Sequence, residues 1–167
     1  GLLKVAALTP PGWQVTIVDE KVERLDPAHE ADLVGITTMT TTAPRAYELA
    51  DHFRRRGVKV VLGGMHASCL PEEAGEHCDS VVIGEAEGLW ARLLGDFERG
   101  ALQPIYRHNG ERPPLVRLPR PDWEIYRTKN YLPVHFVETT RGCPIGCEFC
   151  AVTSAFGPPF LLAAALA

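Results

Sequence analysis

The chain has 167 residues, 46% hydrophobic and 23% charged, with a net charge of −4. This is the balance of an ordinary folded domain; a nucleic-acid surface is excluded, because the only basic run, Arg54-Arg55-Arg56, reads as the solvated end of a helix. No stretch approaches the roughly 20 apolar residues of a membrane span, and five cysteines, an odd count with no signal peptide before them, argue against a disulfide framework and for the reducing cytoplasm.

Taken in order, Gly1 to Leu8 read as a helix with Leu2, Leu3, Val5, Ala6 and Leu8 on its apolar face, stopped by Pro10-Pro11-Gly12. Trp13 to Val18 alternate as a strand. After a polar connector, 31–37 form a second strand, whose continuous apolar centre suits burial on both faces of a parallel sheet. Residues 38–42 are the loop at its carboxyl end. A helix is predicted over 43–56, capped by Thr42, with Pro44 in its first turn and Gly57 closing it. A third strand over 58–62 runs into a loop over 63–68, followed by a short helix over 71–76. A fourth strand over 80–83 ends at Gly84-Glu85, and a helix over 86–99 turns Leu89, Trp90, Leu93, Leu94 and Phe97 inward.

Strand and helix alternate with short loops, which predicts a doubly wound parallel α/β sheet over residues 1–100. Ligands of such sheets bind beyond the carboxyl ends of the strands, where the strand order reverses. Here those ends are 37–42, 63–68 and 84–87. Folds of this kind open on a strand, whereas this sequence opens on a helix, so its first strand is expected to have been lost. No G-x-G-x-x-G follows any strand, which sets a dinucleotide site aside.

Residues 101–132 turn to proline, arginine and aromatics and read as a linker. Residues 133–167 then begin a second unit: an apolar run, Val134 to Glu138, leads into Thr139-Thr140-Arg141-Gly142-Cys143-Pro144-Ile145-Gly146-Cys147-Glu148-Phe149-Cys150. The C-x3-C-x2-C spacing puts three thiolates on one glycine- and proline-containing loop. A four-iron cluster has four corners, and three cysteines leave one open to an outside molecule. A structural zinc site is the alternative, with His135, Cys69 or Cys78 as the fourth ligand. From Phe160 to Ala167 neither strand nor helix signal is legible.

The cysteine run resembles the signature of the radical S-adenosylmethionine (SAM) superfamily, with Phe149 just before the last cysteine. The resemblance implies a 4Fe–4S cluster on Cys143, Cys147 and Cys150, SAM on the fourth iron, and an external electron donor such as a flavodoxin or ferredoxin. The order of the whole, with Gly35-Ile36-Thr37-Thr38, Gly63-Gly64-Met65-His66-Ala67-Ser68 and Val82-Ile83-Gly84-Glu85-Ala86-Glu87-Gly88 in the sheet region, resembles the cobalamin-binding subgroup, whose first domain is Rossmann-like. Cobalamin is then implied as a further cofactor. Glycines 63, 64 and 84 would let the backbone approach a bulky planar ring and its nucleotide tail, and Thr37, Thr38 and Ser68 would offer hydroxyls. His66, Glu85 and Glu87 are candidate pocket residues. No D-x-H-x-x-G occurs, so no histidine is assigned as a lower ligand of cobalt. Methyl transfer to carbon, ring rearrangement and cyclisation are the reactions the subgroup implies. Only the first strand and cluster loop of a βα barrel are legible, so a truncated chain without turnover of its own is expected, and no residue is assigned a catalytic role. The competing expectation is a stand-alone α/β binding module without corrin, carrying a zinc or vestigial metal loop.

Overall fold

The computed structural model describes residues 1–110, 118–127, 129, 131, 140–143, 145–150, 152 and 161–162. Four parallel strands form the sheet: β1 (Leu33–Thr37), β2 (Lys59–Gly63), β3 (Ser80–Ile83) and β4 (Ile105–Arg107), side by side in that order. The register sets Gly35 opposite Val61 and Thr37 opposite Gly63. Among the described strands the order never reverses, so the expected reversal point is not found between them. The helices are α1 (Leu2–Leu8), α2 (Ala43–Arg55), α3 (Met65–Cys69), α4 (Pro71–His77), α5 (Trp90–Glu98) and α6 (Glu124–Arg127).

Alternate residues of each strand feed two separate cores, as the pleat requires. On one side Val60, Leu62 and Val81 pack with Ala50 and Phe53 of α2 and Ala74 of α4. On the other side Val61 and Val82 pack with Leu93 and Leu94 of α5 and with Tyr106 of β4, Trp13 and Trp90 closing over them. This is the doubly wound α/β arrangement that the alternation of strand and helix predicts. Helix α2 ends as expected: Gly57 takes φ +81, and Val58 N–H bonds back to Phe53 O at 3.1 Å.

Several local expectations are corrected. Residues 13–19 are outside every ladder. Their alternation buries Ile17 and seats Trp13 5.8 Å from the Phe97 ring, but a strand also needs a neighbour to pair with. Thr42 does not cap α2; its hydroxyl bonds Met39 instead, inside a 3-10 turn at Thr40–Thr42. The stretch after Gly64 is the helix α3 rather than a loop, and α5 starts at Trp90, later than Ala86. The sheet runs on into the proline-rich stretch, where β4 pairs with β3. Near the end, β5 (Thr140–Arg141) pairs antiparallel with β6 (Leu161–Leu162) in a stretch that carried no strand signal. The run Val134 to Glu138 lies outside the described residues.

The segment after β4 folds back on the start of the chain. Lys129 donates to Ile17 O at 2.8 Å and pairs with Glu23, Tyr131 donates to Asp19, and the rings of Tyr126 and Tyr131 lie 4.7 Å apart. Among the described residues, no helix is long and apolar enough to cross a membrane.

Candidate cofactor site

A cavity of about 250 Å³ opens beside the carboxyl half of the sheet, walled by α1, α5 and residues 13–18. Its sheet side is made by Gly35, Thr37, Val61, Gly63, Val82 and Gly84. Gly63 at the end of β2 and Gly84 just after β3 leave a trough where side chains would otherwise stand, and Gly35 of β1 makes room for an aromatic ring. At Gly35 a Cβ would come within 3.3 Å of Trp90 Cη2, so the indole lies over the glycine; Trp90 Nε1–H is fixed by Thr9 Oγ1 at 2.9 Å. At Gly63 a Cβ would make only ordinary contact, 3.7 Å from Val82 Cβ and O. Mostly apolar walls with a few polar groups at the mouth are the usual make-up of a cofactor pocket.

The mouth of the cavity is tied by side-chain hydroxyls. Gly64 has φ +92, a conformation that favours glycine, and a Cβ there would sit 2.7 Å from both Thr37 Oγ1 and Thr38 O. Thr38 is fully buried; its hydroxyl donates to Gly63 O at 2.9 Å and accepts from Ala67 N–H at 3.1 Å. Ser68 donates to Gly64 O at 2.7 Å and accepts from Gly84 N–H at 2.9 Å. Thr38 and Ser68 have thus committed their protons to the fold, while Thr37 is exposed and lines the cavity.

His66 faces the other way. It is buried against α2 and α4, with Nδ1 3.3 Å from Thr40 Oγ1 and Nε2 3.1 Å from Tyr47 Oη and 3.3 Å from Glu73 Oε1. Tyr47 donates to Glu73 at 3.0 Å and stacks on His77 with ring centres 4.2 Å apart. Burial, and then the Glu73 carboxylate, push the Tyr47 phenol up to about 12. His66 is absent from the cavity wall.

Beyond Gly84 the chain places two carboxylates against one guanidinium. Arg141 Nη1 donates to Glu85 Oε1 at 2.9 Å and Nη2 to Glu87 Oε1 at 2.5 Å, and Lys4 Nζ lies 3.5 Å from Glu87 Oε1. Burial works to raise the Glu87 carboxyl, but the Arg141 hydrogen bond, a backbone hydrogen bond and the Arg141 and Lys4 charges together outweigh it and hold the group below the usual carboxylate range. Glu85 Oε2 is buried and makes no hydrogen bond among the described residues. The role of Arg141 was not legible from sequence, because its partners lie 56 and 54 positions away. Its place directly before the cysteine run was the one available signal.

Cys143, Cys147 and Cys150 are all free thiols, partly exposed. Cys147 N–H bonds to Ile145 O and Cys150 N–H to Cys147 O, both at 3.1 Å, which coils the loop between them. Phe149 is 92% exposed, and so is available to a ligand or partner surface rather than to the core. Three soft donors in eight positions suit an iron–sulfur centre chemically. Among the described residues, however, no three histidine, cysteine, aspartate or glutamate side chains are grouped as a metal site groups them. The donors are present, and they do not converge.

Comparison with known proteins bears on the sheet domain and its cavity. A family model described as "B12 binding domain" matches residues 1–94. The chain is 38% identical to bacteriochlorophyllide d C-8(2)-methyltransferase of Chlorobaculum tepidum, over 93% of this chain and 36% of that protein. It is 33% identical to bacteriochlorophyllide d C-12(1)-methyltransferase of the same organism, over 95% and 36%. To hopanoid C-2 methylase of Rhodopseudomonas palustris it is 28% identical, over 94% and 30%. The chain therefore spans about a third of the length of these relatives.

Proposed function

This chain belongs to the B12-binding domain family, and from that premise we propose that it is the cobalamin- and cluster-binding part of a radical SAM enzyme that methylates carbon. The observation that carries the reading is the glycine-floored cavity at the carboxyl half of the sheet. Gly63 and Gly84 leave room on one face, Gly35 lets the Trp90 indole lie against the sheet, Thr37 offers a hydroxyl, and Gly64 brings the backbone close at the mouth. These residues would hold cobalamin, with Glu85 and Glu87 at the edge, where one Glu85 oxygen makes no hydrogen bond among the described residues. His66 is turned toward Tyr47 and Glu73 and takes no part as a lower ligand.

Cys143, Cys147 and Cys150 would carry the 4Fe–4S cluster, with SAM on its open iron, and their convergence would accompany loading. When bound, cobalamin supplies a transferable methyl group and the cluster supplies an electron to SAM, drawn from an external donor such as a flavodoxin or ferredoxin. The protein's own share is to seat both groups, keep water from the apolar cavity and leave the cysteine loop open to reduction. The names of the relatives support methyl transfer to carbon as the reaction, and reduced thiols in the cysteine run suit the cytoplasm.

Titration with hydroxocobalamin, followed by its visible spectrum and by quenching of tryptophan emission, tests the reading. Gly63→Ala should leave the fold intact, since its Cβ meets only ordinary contacts, yet weaken cobalamin binding roughly tenfold by narrowing the trough. Absence of any cobalamin binding by the unmodified chain would replace this reading with that of a corrin-free binding module.

A further inference from the structure

The Arg141 side chain is a long-range tie, and its cost shows that it does more than decorate a surface. Arg141 is 7% exposed and Glu87 4%. Taking such charges out of water is costly for each ion, and only close, well-directed partners offset it. Here the offset comes from three separate stretches: Lys4 on α1, Glu85 and Glu87 after β3, and Arg141 on β5. Among the described residues, two positive charges face two negative ones there. The planar guanidinium forks across two different carboxylates, a geometry that a lysine ammonium does not reproduce.

The location gives the tie a consequence. Glu85 directly follows Gly84, which lines the cavity mouth and is bonded through Ser68 to Gly64. Arg141 is followed, after Gly142 at φ +81, by the first cysteine. Wherever the guanidinium is held, the start of the cysteine loop is held too.

We propose that Arg141 is a positioning residue that seats the three-cysteine loop at the mouth of the sheet-end cavity by latching onto Glu85 and Glu87. That the latch thereby sets the separation of two cofactors rests on the functional reading above; the seating of the loop itself does not.

The test uses the full chain without cobalamin or iron, so that it is independent of the binding titration. With Cys143→Ser and Cys150→Ser in place, nitroxide labels are attached to exposed Cys69 on α3 and to Cys147; Cys78 is buried and stays unlabelled. Pulsed EPR then reads the distribution of distances between the sheet domain and the loop. The parent should give one narrow distribution. Arg141→Gln should broaden it roughly twofold or more while the sheet still melts cooperatively, and Arg141→Lys should recover part of the narrowing. A residue that merely supported the fold would lower the melting temperature without widening the distribution, and that result overturns the proposal. So does a broad distribution in the parent. Should Arg141→Gln fail to fold, Glu87→Gln, which keeps the Glu85 contact, makes the same comparison.

Discussion

Substituting Gly64 by alanine separates backbone strain from steric contact at the mouth of the cavity. Gly64 has φ 92 and ψ −174, a region open essentially to glycine alone, so alanine there carries about 1–3 kcal/mol of strain. Its Cβ would also lie 2.7 Å from Thr37 Oγ1 and Thr38 O and 2.8 Å from Thr38 N. The Thr38 backbone cannot swing aside easily, because its N–H is bonded to Gly63 O at 2.8 Å and its carbonyl accepts from His66 N–H at 3.1 Å. Overpacking of this kind adds about 1–3 kcal/mol. The sum, about 2–6 kcal/mol, is a large part of the roughly 5–15 kcal/mol that holds a domain together. Gly84 is the control: its φ is +82, but a Cβ there meets nothing within 4 Å. Gly84→Ala should therefore cost only the backbone contribution, about 1–2 kcal/mol. Equilibrium unfolding in urea, followed by tryptophan emission at constant m-value, measures both. A loss below about 1 kcal/mol for Gly64→Ala, or equal losses for the two variants, would refute the steric argument.

The latch should also leave a signature in pH. Because Glu87 is held below its ordinary value of 4.5, its stabilising contribution is complete above about pH 4.5 and fades as pH falls through the depressed folded value. In Arg141→Gln the burial that raises this carboxyl is left opposed only by a backbone hydrogen bond and the more weakly acting Lys4 charge, so acidification between neutral pH and 4.5 should relieve part of the loss, visible as a weakened or reversed slope of melting temperature against pH. For the cysteine loop, anaerobic reconstitution with iron and sulfide should give a brown protein with thiolate-to-iron charge-transfer absorption. Cys147→Ala should abolish this, whereas Cys69→Ser should not. Uptake of zinc in place of iron by the unmodified chain would instead support the corrin-free module with a structural metal loop.

Much of this fold was legible because its strands are short apolar runs and its helices carry one apolar stripe. Val60-Val61-Leu62 and Val81-Val82 had to be covered on both faces, and the helices between them supply the cover. The misses share a cause. Residues 13–18 have strand-like alternation, but pairing depends on a neighbour that local pattern does not specify. Ile105-Tyr106-Arg107 was hidden by its shortness and its proline-rich surroundings, and became a strand because β3 offered an edge. At the site, the residue types were legible but not their commitments: Thr38 and Ser68 spend their hydroxyl protons on Gly63 and Gly64, and His66 turns to Tyr47. The cavity needed Gly35 and Trp90 to meet across the interior, which neither residue announces alone.

The Ser68 hydroxyl has one more consequence. By holding the carbonyl of residue 64 with its proton and the amide of residue 84 with its lone pair, one small side chain makes the exits of two neighbouring strands move as a single lip. A visitor entering there meets an opening already shaped, and so forfeits little freedom of the protein on arrival. The same economy makes the lip brittle: replacing that serine with alanine would let the two exits drift separately, and affinity would decline though no group touching the visitor had changed.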